Sequence, residues 1–311
     1  MDAAVGLVHA LLPVTAHVTA RVAAAHPSAR ILGTERAGTA VVVESGGLLL
    51  TVNYVVMGAR RVRVTMTDGR RLEARVAAQD FESGLALLRV SATGLAEARL
   101  ASSAELAHGA SVFVIAATGP VERSVAGGIV TDLGEFEAYW EYFLDRGIVS
   151  SAPNPGFGGG PLFDLRGSVV GVVSLNLEGI GRESLAIPVE YFTRHRTELL
   201  RFGRVTSRPR RAWIGVFPHT LDGRLIVAGL VPEGPGERAG LQDGDVIVRV
   251  DDQEISSRRD LYAALWRHEP GERVLLDLLR DDRPQRVEVL AQDRSDFYAL
   301  ERRGSGGPSG G

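Results

Sequence analysis

Over the first 190 residues, apolar and polar positions alternate with period two in short runs closed by turn residues. Residues 61–66 (RVRVTM) are the clearest case. The Asp68-Gly69 pair after them is a hairpin signal, because both residue types tolerate positive φ. Residues 71–76 (RLEARV) return from that turn. Residues 39–43 (TAVVV) lead into a Glu44-Ser45-Gly46-Gly47 turn, and 48–51 (LLLT) come back from it. Residues 85–90 (LALLRV) are mostly apolar, as expected of a strand covered on both faces. A second set begins at 111–116 (SVFVIA), continues through 126–131 (AGGIVT) and ends at 185–188 (LAIP). Many short strands at this spacing predict an all-β barrel or sandwich. Residues 191–202 read as a helix, 203–211 as an Arg-rich linker, and 256–266 as a second helix. From Arg294 the chain reads as a flexible tail, ending in Gly, Ser and Pro.

Composition narrows the chemistry. The 311 residues are 45% hydrophobic and 23% charged, which suits a globular chain with ample core. A formal net charge of −3 gives no argument for nucleic acid or an anionic membrane surface. All 35 basic residues are Arg, and the absence of Cys excludes disulfides, thiolate metal sites and thiol redox chemistry. No metal or cofactor motif is present, so none is expected. The N-terminus carries Asp2 where a signal peptide needs basic residues, and no apolar run approaches eighteen residues. The expectation is a cytoplasmic protein, unless an export segment lies outside this sequence.

Residues 155–162 (PGFGGGPL) follow Ser151-Ala152-Pro153-Asn154 and run into a turn and an apolar strand at 163–176. This stretch resembles the nucleophile loop of the HtrA/DegP family of trypsin-like serine proteases, whose pattern is N-P-G-N-S-G-G-P-L before a V-V-G strand. The match holds at Asn154, Pro155, Gly156, Gly159, Gly160, Pro161 and Leu162. Residues 12–18 (LPVTAHV) resemble the family's short opening helix and first strand. From Ala212 the chain resembles a PDZ domain: Trp213-Ile214-Gly215-Val216 matches its carboxylate-binding loop, and 238–247 (RAGLQDGDVI) matches its A-G-L-x-x-G-D-x-I signature. The resemblance covers roughly residues 10–293. It implies a trypsin-like double β-barrel over 1–202, a linker at 203–211, an α+β PDZ domain at 212–293 and a tail at 294–311.

A protease of this family needs a nucleophile, a general base and a carboxylate that orients the base. The family serine aligns with Gly158, which has no side chain. The family's T-N-N-H-V-V segment aligns with residues 51–56 (TVNYVV), placing Tyr54 at the base position. A phenol titrating near ~10 is a poor base at neutral pH. The acid of the family's D-L-A-L-L-K strand aligns with Gly84. All three roles are vacant. Losing the triad costs about 10⁶-fold in subtilisin, which reduces a typical turnover of about 10 per second to about one event per day. Ser150, Ser151, Asp80 and Glu82 lie near the motif segments in sequence, while His17, His26 and His108 lie far from them. Nothing in the sequence suggests that they assemble a substitute triad. Val52, Pro153 and Phe157 also depart from the family pattern, as do the charges in Arg182-Glu183-Ser184, where the family's substrate-pocket loop is small and apolar.

Several positions carry two readings. Gly156 and Gly158 sit where oxyanion-hole N–H groups would be, but glycines here also satisfy what the turn demands of the backbone. Phe157 is a plug for the vacated cleft or a ligand contact. The acidic, aromatic run 135–143 (EFEAYWEYF) is a partner surface or local core. The cluster Arg208-Pro209-Arg210-Arg211 reads as a solvated linker. The resemblance implies that the PDZ domain adds a C-terminal peptide as a strand, with its carboxylate at Ile214, Gly215 and Val216 beside Trp213. Leu261 and Leu265, four apart on one helix face, are expected to line its apolar pocket, with part of that face packed on the PDZ core so that one of the two need not touch peptide.

The reading is a catalytically inactive pseudoprotease that binds C-terminal peptides or unfolded segments as a scaffold or chaperone-like partner. An active HtrA-type relative and a homotrimer are the further partners the resemblance implies. Two alternatives stand beside it: a serine endopeptidase with a non-standard catalytic arrangement, and a structural oligomer subunit whose PDZ groove is occupied.

Overall fold

The computed structural model describes residues 3–138, 140, 142–177 and 183–299, which fall into two compact units. The N-terminal unit opens with α1 (Ala3–Leu11), which gives way to a 3-10 turn containing Pro13. Next come β1 (Thr15–Val22) and the short helix α2 (Pro27–Leu32); α2 clusters with the second unit. They are followed by β2 (Glu35–Glu44), β3 (Leu48–Val52), α3 (Asn53–Val56), β4 (Ala59–Met66), β5 (Arg71–Asp80) and β6 (Leu85–Val90). The six strands close into a barrel in the order β1-β2-β3-β6-β5-β4. Alternation decides which side chains enter it. In β1, Ala16, Val18, Ala20 and Val22 are buried while Thr19 and Arg21 point to solvent. The β3 strand is buried along its whole length, as its apolar run requires.

The second barrel takes β7 (Ser111–Ala117) and β8 (Arg123–Asp132). Two short strands follow, β9 (Phe136–Ala138) and β10 (Tyr142–Leu144). Then come β11 (Ile148–Ser150), β12 (Pro161–Asp164), β13 (Val169–Leu177) and β14 (Glu183–Pro188). Its closed order is β11-β14-β13-β12-β7-β8, around Val114, Leu162, Val173 and Ala186. The all-β double barrel expected from strand spacing is therefore present.

The helix expected over 191–202 is broken into α4 (Glu190–Thr193) and α5 (Arg196–Phe202). His195, at φ −107° and ψ 10°, leaves helical geometry between them. Gly203 ends α5 in the left-handed conformation that only glycine adopts freely. The segment after it is less loose than its composition suggests. The Glu198 carboxylate accepts from the backbone N–H and hydroxyl groups of both Thr206 and Ser207. Arg208 reaches both oxygens of Asp80, at 3.1 and 2.9 Å.

The second unit contains β15 (Val216–Leu221), β16 (Arg224–Leu230), α6 (Pro235–Arg238), β17 (Val246–Val250), β18 (Gln253–Glu254), α7 (Arg258–Leu265), β19 (Arg273–Arg280), β20 (Arg283–Leu290) and α8 (Arg294–Ala299). Its sheet runs β15-β16-β17-β19-β20, with β18 paired on β17. Ser257 caps α7 by accepting from the Asp260 N–H. The α8 helix corrects the reading of 294–299 as flexible tail. Phe297 and Tyr298 are buried against Trp213, with ring centroids 4.9 and 5.8 Å away. A six-residue helix has little stability alone, so this one depends on tertiary packing that composition does not reveal. Residues 300–311 lie outside the described residues.

Candidate functional site

The loop carrying Gly158 is fastened to the first barrel by Thr39. The Thr39 N–H donates to Gly158 O at 2.7 Å, and its hydroxyl donates to Phe157 O at 2.7 Å. That same hydroxyl accepts from Ala117 N at 2.9 Å. Tyr54, on α3, fills the space a side chain at position 158 needs. A Cβ there would collide with the Tyr54 hydroxyl and lie 3.1 Å from Cζ and 3.3 Å from Ser174 O. The hydroxyl donates to Ser174 O at 2.9 Å. Burial pushes the phenol up to about 12.

Gly84 is tied to the same place, since its carbonyl accepts from the N–H of Asn53, the residue before Tyr54, at 2.7 Å. Its φ of +79° is in the left-handed region, and a Cβ would lie 3.1 Å from both Cε2 and Oη of Tyr142. Tyr142 is buried and donates to Ser83 O at 2.7 Å. The three positions singled out from sequence thus converge, and a tyrosine stands where side chains at 158 and 84 would extend. The sequence offers no local signal for this role of Tyr142, which falls inside the acidic, aromatic run.

Among the described residues, the neighbouring serines and carboxylates hold other partners. Ser150 is buried with its Oγ 3.5 Å from that of Ser184. Ser151 accepts from Ile129 N at 3.0 Å. Asp80 is committed to Arg208 and to the Ser83 hydroxyl at 2.7 Å, and Glu82 lies 4.0 Å from Arg208. His26 bonds Ser28 and Tyr298 O in the second unit, and His108 is exposed beside Asp132. His17 corrects the sequence reading, because distance along the chain did not keep it from the nucleophile loop. Its ring lies 5.6 Å from that of Phe157. Burial, then the Arg123 guanidinium, holds this imidazole below its usual value, so it stands neutral. Its cross-strand neighbour Thr39 has its hydroxyl already engaged by Phe157 and Ala117.

Phe157 does not plug the cleft; it is 36% exposed and packs on His17 while Tyr54 fills the space. At Gly156 a Cβ would collide with Ala117 O, and its N–H lies 3.4 Å from Asn154 Oδ1. Close backbone approach accounts for that glycine. Val52 is buried in β3, Pro153 is partly buried, and Arg182 lies outside the described residues.

In the second unit the loop at 213–216 is held by its own backbone. Trp213 and Gln292 exchange N–H···O bonds of 2.9 and 3.0 Å. Ile214 O accepts from Gly236 N, and Gly215 O from Val231 N. Gly215 has φ +75°, a turn conformation that favours glycine. Trp213, Ile214 and Val216 are buried. Leu261 and Leu265 are both 0% exposed and belong to the core cluster on which α7 packs. The signature Asp245 is fully buried as a side chain and takes Arg280 on both oxygens, at 2.7 and 2.8 Å.

Comparison with known proteins accords with both halves. The trypsin-like peptidase domain family matches residues 38–172, and the PDZ domain family matches 212–290. A probable periplasmic serine endoprotease, DegP-like, of Ectopseudomonas mendocina is 32% identical over 281 residues, covering 85% of this chain and 58% of that protein. A protein of the same description from Halomonas elongata is 31% identical over 290 residues, covering 88% and 59%. The chain therefore spans under two thirds of the length of these relatives. Their descriptions say periplasmic, which gives the cytoplasmic expectation no support. The solved HtrA-type protease AlgW with tripeptide is 25% identical, with a TM-score of 0.58, covering 94% of this chain and 98% of that one. The same protease with decapeptide is also 25% identical, with a TM-score of 0.55 over 94% and 99%. With two six-stranded barrels, a trypsin-like peptidase match and a following PDZ match, the chain belongs to the HtrA/DegP family of trypsin-like peptidase domains joined to PDZ domains.

Proposed function

We propose that this chain is a non-catalytic member of its family that binds C-terminal peptides or unfolded segments through its PDZ domain. The observation that carries the proposal is the Tyr54 hydroxyl, which occupies the space of a side chain at position 158 and is bonded to Ser174 O. A missing nucleophile alone leaves an open cleft. Here the space is filled by a hydrogen-bonded phenol, and Tyr142 similarly covers position 84. Catalysis requires nucleophile and base within about 3 Å and in line, and this packing leaves room for neither. Solved relatives with tripeptide and decapeptide support the peptide-binding half of the reading.

The test is a casein digest together with a fluorophosphonate probe, which labels only an activated serine. No cleavage and no labelling are the expected results. Stoichiometric labelling that disappears on mutating one serine, such as Ser150 or Ser151, would overturn the proposal in favour of an endopeptidase with a non-standard arrangement. Peptide binding is tested by fluorescence anisotropy with labelled decapeptides ending in an apolar residue, for which micromolar affinity is expected, about −8 kcal/mol.

A further inference from the structure

The first unit holds a cavity of about 490 Å³ that none of the motif positions lines. It opens where the chain enters the second barrel, between the segment 99–111 and the turn that joins β12 to β13. Backbone bonds fix these two walls against each other. Val169 N donates to Arg99 O at 2.8 Å, and Ala101 N donates to Val169 O at 3.0 Å. The turn is held in its own right by Asp164, whose Oδ1 accepts from Arg166 N at 2.9 Å and from Ser168 N at 2.8 Å. A cavity of this size suits a small ligand.

The lining carries both signs of charge. Arg99 is exposed and makes no ion pair among the described residues. Arg166 and Glu105 also line the cavity, 3.9 Å apart with side chains 75% and 76% exposed. A pair that long and that wet contributes little, so both groups are available to a ligand. Asp164 uses only Oδ1 in the turn, which leaves Oδ2 without a partner among the described residues. Leu106 and Val170 add apolar lining. Ser168 lines the cavity as well; it is 0% exposed, and its hydroxyl has no hydrogen-bond partner among the described residues. A buried hydroxyl left unpaired carries a desolvation penalty that an incoming acceptor relieves.

A simple anion here meets Asp164 and Glu105, and a simple cation meets Arg99 and Arg166. We infer that this cavity binds a small zwitterion with an apolar side chain, an α-amino acid or a dipeptide. Its carboxylate lies on Arg99 and Arg166, whose planar guanidinium groups suit bidentate contact. Its ammonium lies on Asp164 Oδ2 and Glu105, and its side chain on Leu106 and Val170. The Ser168 hydroxyl donates to the ligand's oxygen. The loop at 213–216 plays no part in this site.

Isothermal titration calorimetry of the full chain with leucine and with leucylleucine tests the site and separates the two sources. At least one of them should bind with a Kd on the order of 100 μM, within reach of so few non-hydrogen atoms. N-acetylleucine lacks the ammonium and leucinamide lacks the carboxylate, so each should bind about tenfold more weakly than leucine or not at all. Arg99→Gln, at an exposed position, should weaken the binding about tenfold. Ser168→Ala should weaken it about threefold, yet leave the urea midpoint of the unliganded protein unchanged or higher, because no bond is lost. Absence of heat with both ligands up to about 10 mM, far above the expected Kd, overturns the inference. Binding that Arg99→Gln and Ser168→Ala both leave unchanged also overturns it, since the zwitterion then sits elsewhere, the 213–216 loop included. N-acetylleucine or leucinamide binding as well as leucine overturns the assignment to a zwitterion.

Discussion

At position 158 a serine side chain enters space taken by the Tyr54 hydroxyl, so Gly158→Ser is expected to destabilise the chain by about 1–3 kcal/mol through overpacking. Urea unfolding measures this. Tyr54→Ala combined with Gly158→Ser should be less destabilised than the sum of the two single changes, because the shorter side chain removes the collision. Restoring all three family residue types (Tyr54→His, Gly84→Asp, Gly158→Ser) should yield no casein cleavage. Position 84 sits at φ +79° with the Tyr142 ring in contact distance, so an aspartate there is both strained and misdirected. The phenol itself has a pH signature. Tyr54 titrates near 10.0 unfolded and at about 12 in this site, so the folded state keeps a proton that the unfolded chain gives up. That contribution to stability is complete below about pH 10 and is lost as pH rises toward 12. Tyr54→Phe should remove this loss and cost about 1 kcal/mol at neutral pH for the bond to Ser174. Denaturant midpoints of the two proteins between pH 9 and pH 11 give the difference.

The element most worth perturbing is the segment after α5. Arg208 is the cation on a nearly buried Asp80, whose side chain is 5% exposed, in the turn that precedes Gly84. Arg208→Ala is expected to cost about 3 kcal/mol, since it leaves that carboxylate buried with only neutral partners. Glu198 works differently. Hydroxyl bonds from Thr206 and then Ser207, with their backbone N–H groups, lower it to about 2. A lowered acid stabilises the folded form above its unfolded value and loses that contribution as pH falls through the folded one. The 206–207 amides should therefore exchange faster as pH drops from about 4.5 toward 2, after correction for intrinsic rates, and Glu198→Gln should show the faster exchange already at pH 6. On α7, Leu265→Asp is a poor probe of ligand contact. Leu265 is a core side chain, so the charge should unfold the second unit, visible as a lost thermal transition.

On the scale of the whole molecule, the proposed loss of catalysis and the proposed peptide site predict opposite outcomes in two assays. Fluorophosphonate labelling should be absent under conditions where decapeptides with apolar C-termini bind. Gly215→Ala forces a side chain into a φ of +75° and toward Trp213 at 3.2 Å. It should weaken decapeptide binding by roughly 10-fold, in line with a strain of about 1–2 kcal/mol, while leaving the thermal transition of the first unit in place.

Period-two alternation and turn residues determined the barrel strands, because a half-buried strand needs an apolar side chain at every second position. Short motifs with fixed backbone demands, such as Gly159-Gly160 and the signature around Asp245, were equally legible. The residue types Tyr54, Gly84 and Gly158 at the motif positions were likewise plain. What packs against them was not. Tyr142 reaches Gly84 from 58 positions along the chain, and His17 reaches Phe157 from 140 positions. Contacts across such separations leave no local periodicity to read. The same reason hid α8, whose six residues are held by the ring of Trp213, and hid the contacts of Ala138 with Tyr262 and of Trp140 with Arg294. Local spacing determined the strands and the residue types at the motif positions. Only tertiary packing decided which side chains lie against them.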